Sequence, residues 1–125
     1  MRVYFHGTVE LSARELLDGA PLDRDVARQR SAGSEGGCFY LATELDDAIF
    51  LGSLHDASLV VIRIDIDQVA LARLLDEGCH PQPIPLAGAR VPFAGEELVV
   101  VPSAFGTFNT LRETGRIVFD EQTID

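Results

Sequence analysis

The sequence predicts a single α+β domain over residues 1–125, and two observations carry that reading. The chain is long enough for one hydrophobic core but not two, because a domain commonly needs on the order of 100 residues to bury enough apolar surface. Alternating β-former runs and amphipathic helical repeats also follow one another in mixed order, giving five or six strands and three short helices.

The alternation over residues 2–6 predicts a first strand ending at His6-Gly7. Ser12-Ala13-Arg14-Glu15 has the spacing of a capping box, so a short helix is expected to run to Asp18 and stop at Gly19. Ala20 to Gly37 is polar and glycine-containing and predicts a loop, with one helical turn near Arg24 to Arg28. Cys38 to Ala42 predicts a second strand. Thr43-x-x-Asp46 then caps a helix with Leu45, Ala48, Ile49 and Phe50 on one side and Gly52 at its end. The β-branched run Ser58 to Ile66 is the strongest strand. Asp67 is placed to cap a further helix with Val69, Leu71, Leu74 and Leu75 as its buried stripe and Gly78 as its stop. The proline-rich stretch from Pro81 to Pro92 is incompatible with a helix interior. Leu98 to Val101 and Arg116 to Asp120 predict two late strands, the second preceded by a turn at Gly115.

Twenty acidic residues against ten basic ones give a net charge of −10, and every basic side chain is Arg. Such a surface repels nucleic acid on average, since sequence-independent affinity comes from basic side chains neutralising phosphates. No segment approaches the roughly 20 uncharged apolar residues of a membrane helix, so no membrane partner is expected. The first residues lack the apolar stretch and cleavage site of a signal peptide, and a cytoplasmic protein with Cys38 and Cys79 as reduced thiols is expected.

Three polar features fall beside predicted strand ends: His6-Gly7-Thr8, Tyr40 with its neighbours, and Glu96-Glu97. Strand ends next to loops are where convergent polar groups meet in a cleft. Taken singly, each has an ordinary reading: a solvated His, a core aromatic with its hydroxyl at the rim, an exposed acidic turn. Their order is what suggests a site. His55-Asp56 and Cys79-His80 lack supporting metal ligands, and no Gly-x-Ser-x-Gly elbow or phosphate-binding loop is present.

In that order, Tyr4-Phe5-His6-Gly7-Thr8, Gly37-Cys38-Phe39-Tyr40-Leu41-Ala42-Thr43 with Asp47-Ala48, Ile62-Arg63-Ile64-Asp65-Ile66 and Glu96-Glu97-Leu98-Val99-Val100-Val101-Pro102 resemble the ADP-ribosyltransferase superfamily of the His-Tyr-Glu class. The resemblance spans residues 4 to about 102. It implies an ADP-ribosyltransferase-like fold of split mixed or antiparallel β-sheets with short helices, and NAD as substrate. The roles it implies are a ribose hydroxyl bonded by His6, a nicotinamide carboxamide paired to the Gly7 main chain beside Thr8, and a nicotinamide ring on Tyr40. Phe50 is the candidate second aromatic. Glu97, or Glu96 one residue earlier, would be the catalytic carboxylate.

Cleaving the nicotinamide–ribose bond passes through an oxocarbenium-like sugar, so it needs a flat surface for nicotinamide and a negative charge near the ribose. The expected activity is mono-ADP-ribosyl transfer to an unidentified acceptor, protein or small molecule, by a toxin-like module or a modifier resembling the rifamycin transferases. Glu in place of the Asp of that group leaves the subfamily open. The acceptor would be selected by the loops at Ala20 to Gly37 and Gly78 to Gly95. Two other functions share the fold: a tRNA 2′-phosphotransferase-like enzyme, and a non-catalytic module binding NAD or a basic protein.

Overall fold

A computed structural model of the chain describes residues 1–23, 37–53, 59–85 and 93–124. In chain order the elements are β1 (Arg2–Val9), α1 (Glu10–Leu17), β2 (Phe39–Ala42), α2 (Leu45–Ser53), β3 (Leu59–Ile66), α3 (Gln68–Asp76), β4 (His80–Pro83), β5 (Glu96–Val100), α4 (Phe105–Glu113) and β6 (Ile117–Gln122). The α+β class is as predicted. The turn expected near Arg24 to Arg28, Ser58 and the His55-Asp56 pair lie outside the described residues. No helix among the described residues is long and apolar enough to cross a membrane.

The six strands form one sheet, in the order β4-β5-β2-β1-β3-β6, with antiparallel neighbours throughout. The split into separate sheets that the resemblance implied is not seen, although the junction at the middle of the one sheet is thin. β1 pairs with β3 along its whole length, from Arg2↔Ile66 to Val9↔Leu59, but meets β2 through the single register pair Phe5↔Ala42. Three strands on each side are thus joined at one rung.

Side chains alternate across the sheet because successive residues of a strand point to opposite faces. Tyr4, Phe39, Leu41, Ile62, Ile64, Ile66, Leu98 and Val100 face one way, against Ala13 of α1, Ala70 and Leu74 of α3, and Phe105, Phe108 and Leu111 of α4. Ala42 and Val61 face the other way, with Phe5 and Leu59 beside them, and pack on Leu45, Ala48 and Ile49 of α2. That second face carries the candidate site.

Several boundaries differ from the sequence expectation. β1 continues past His6-Gly7 to Val9, and the chain turns directly into α1 at Glu10, whose N-terminal residue has no side-chain cap. Ser12 and Ala13 are therefore buried inside the helix, and the Ser12–Glu15 pattern is not its start. Gly19 does end it, at φ 106°. Thr43 spends its hydroxyl on the Glu96 N–H, at 3.0 Å, and α2 begins at Leu45. Asp67 caps α3 as predicted, its Oδ1 accepting the Ala70 N–H at 2.7 Å. The buried residues of α3, however, are Ala70 and Leu74, while Val69 and Leu75 point to solvent. Neither β4 nor α4 was expected from the sequence.

Candidate functional site

β2 and β5 bring together two of the residues expected at the site. Their register sets Tyr40 opposite Val99 and Ala42 opposite Glu97. Partners in an antiparallel ladder share a face, and Tyr40 and Ala42 share one by alternation. Tyr40 and Glu97 are therefore diagonal neighbours on the α2 side of the sheet, and the small Ala42 side chain lies directly beside Glu97. Glu96 has the opposite parity and is exposed. Its main chain makes a reciprocal link with Thr43, whose N–H donates to the Glu96 carbonyl at 2.9 Å.

Glu97 is only 5% exposed, although it is a carboxylate. Its Oε1 accepts from Gln82 Nε2 at 2.6 Å. Burial pushes the Glu97 carboxyl above the usual carboxylate range, and the Gln82 amide partly offsets this by favouring the charged form. The start of β5 is held by Asp47 of α2, also 5% exposed. Its two carboxylate oxygens accept the main-chain N–H groups of Ala94, at 3.1 Å, and Gly95, at 2.8 Å. The turn is tight: a Cβ on Gly95 would lie 2.3 Å from Thr43 Oγ1.

His6 lies on the other face, its ring 4.3 Å from that of Phe39. Nδ1 nevertheless reaches the sheet plane and donates to the Tyr40 carbonyl at 2.9 Å. A carbonyl only accepts, so Nδ1 carries the proton and Nε2 presents a lone pair. Burial lowers the imidazole pKa and favours this neutral form. His6 thus fixes the Tyr40 main chain where the β1–β2 ladder has already ended.

Gly7 and Thr8 are matched to Val61 and Val60 of β3. Among the described residues neither has a register partner in β2, so the edge of β1 is open there. Gly7 also receives α2: a Cβ at this position would lie 2.3 Å from the Ala48 carbonyl oxygen. Phe50 is 42% exposed on α2 and meets the ring of Phe93 edge-on at 5.6 Å. Cys38 lies on the Tyr40 face and is hydrogen-bonded to the Tyr40 side chain, with its thiol pKa raised chiefly by burial.

The structure thus gathers Tyr40 and Glu97 on one face, sets His6 behind them as a support, and turns Glu96 away. Gln82 is a site residue that the sequence reading missed. It lies between prolines in a stretch with no local strand signal, and its partner is fifteen positions along the chain. Among the described residues no group of three or more His, Cys, Asp or Glu side chains could hold a metal ion. No family model matches the sequence, and no curated protein matches it.

Proposed function

We propose that the protein is an NAD-dependent mono-ADP-ribosyltransferase. The observation that carries this reading is the buried Glu97 carboxylate sharing a sheet face with Tyr40 on the adjacent strand. A carboxylate withdrawn from water stabilises a developing cation more strongly than an exposed one, because the surrounding dielectric is lower.

The nicotinamide ring stacks on Tyr40, and its carboxamide pairs with main-chain groups at the open β1 edge near Gly7. His6, whose ring lies on the opposite face against Phe39, does not bond the ribose that the resemblance implied; it holds the Tyr40 main chain from behind. Glu97 binds the hydroxyls of the nicotinamide ribose and stabilises positive charge as the C–N bond breaks. The bonding pair leaves with neutral nicotinamide, and the acceptor attacks C1′ and releases its proton to solvent. Phe50 and Phe93 supply an aromatic wall on α2 and the approach to β5.

The test is calorimetry with NAD combined with nicotinamide release. Glu97→Gln is expected to lower turnover about 100-fold or more while keeping NAD affinity, and Tyr40→Ala to weaken binding. The acceptor is sought as an ADP-ribose mass adduct after incubation with cell lysate. Wild-type protein that binds no NAD, or cleaves it equally well with Glu97→Gln, overturns the reading.

A further inference from the structure

We infer that Gln82 is a positioning residue for Glu97, holding one of its carboxylate oxygens in place; this rests on the transferase reading above.

Three observations converge on it. The first is geometry. Gln82 and Glu97 are direct cross-strand partners in the β4–β5 ladder, and Nε2 donates to Oε1 at 2.6 Å, short enough for a charge-assisted bond. The second is burial. Glu97 is 5% exposed, so the bond to Gln82 is made away from bulk water, where a single donor counts for more. The third is backbone stiffness. Gln82 stands between Pro81 and Pro83, which fix φ and lack an N–H. β4 is an edge strand, the place in a sheet where proline is tolerated. The donor therefore projects from a main chain with little freedom.

The charge environment makes a neutral donor important. Among the described residues no salt bridge includes Glu97. On the same face of the neighbouring strands the titratable groups are Cys38 just before β2, Tyr40 of β2 and His80 of β4, the last engaged with the Gly78 carbonyl through Nδ1. From α2, Asp47 is occupied by the Ala94 and Gly95 N–H groups. Burial and Gln82 are the two influences that move the Glu97 carboxyl. The amide favours the ionised carboxylate, against burial.

The experiment follows Glu97 directly by carboxyl-carbon NMR titration, assigned with Glu97→Gln, in the wild type and Gln82→Leu. Gln82→Met serves as a second variant should Gln82→Leu not fold. Loss of the amide is expected to move the Glu97 titration to higher pH. The acid limb of kcat for nicotinamide release should move the same way, with kcat at neutral pH down about tenfold and KM for NAD little changed. An unchanged Glu97 titration in a folded Gln82 variant overturns the inference. If the wild type does not act on NAD, the transferase reading fails, while the NMR titration still decides whether Gln82 controls Glu97.

Discussion

The His6 ring donates Nδ1–H to the Tyr40 carbonyl at 2.9 Å, across the place where β1 and β2 have ceased to pair. The bond joins the two halves of the sheet and holds the main chain behind the Tyr40 ring.

His6→Ala is expected to destabilise the fold by about 1–3 kcal/mol, through the unsatisfied carbonyl and the lost contact with Phe39. His6→Asn, which retains a donor near Nδ1, should cost less. The pH dependence has a definite sign. The imidazole pKa is lowered in the folded chain, so the unfolded chain takes up the proton first. Its stabilising contribution is complete above about pH 6.5, the ordinary imidazole value, and is lost as pH falls below that toward the folded pKa. Urea denaturation of the wild type and His6→Asn between pH 7.5 and 5 should converge as pH falls.

Glu97 behaves in the opposite sense. Its folded pKa is raised, so its stabilising contribution is present below the ordinary carboxylate pKa and lost as pH rises through the folded value. Glu97→Gln is therefore expected to raise the Tm at pH 7, with the gain shrinking toward pH 4. A gain in stability with a loss of NAD cleavage would mark Glu97 as a residue kept for activity. Thermal scans at several pH values check the first half.

Gly7→Ala is expected to cost about 1–3 kcal/mol, since the added carbon would sit 2.3 Å from the Ala48 carbonyl oxygen. Gly106→Ala is the control. Gly106 lies within α4 with nothing within 4 Å of an added Cβ, so that substitution should stabilise by about 0.5–1 kcal/mol. Denaturant titration of both variants measures the difference.

Asp47→Ala removes the shared acceptor of the Ala94 and Gly95 N–H groups and is expected to cost about 2 kcal/mol. Asp47→Asn, which keeps one acceptor oxygen, should lie between it and the wild type. Amide exchange at Ala94 and Gly95 is expected to speed up in both variants, more in Asp47→Ala. A lowered rate of NAD cleavage should accompany it, because the same turn delivers Glu97 to β5.

How much of this was legible in the sequence depended on whether the cause was local. Gly19, Gly78 and Gly115 take positive φ at the turns where they were expected, and Asp67 caps α3, because each effect involves neighbours a few positions away. α4 was hidden by Gly106, Thr107, Asn109 and Thr110, all weak helix formers. It forms because Phe105, Phe108 and Leu111 fall on one side and are buried against the sheet. β4 was hidden by two prolines that only an edge position allows. The local spacing of Ser12 and Glu15 misled because β1 runs on to Val9. At the site, Glu96 and Glu97 are indistinguishable by type. Their difference is one of parity, set by the register of β5 on β2, and register is a long-range property.

Between β1 and α2 the helix rests on bare backbone on both sides: Gly7 against the Ala48 carbonyl, and Gly52 with its own would-be Cβ 3.0 Å from the Gly7 carbonyl carbon. A side chain at either position would lift α2, and with it Asp47 and Phe50, away from the strand. The two glycines therefore act as a single seat, and the depth at which the helix sits sets how far Asp47 and Phe50 stand from β1.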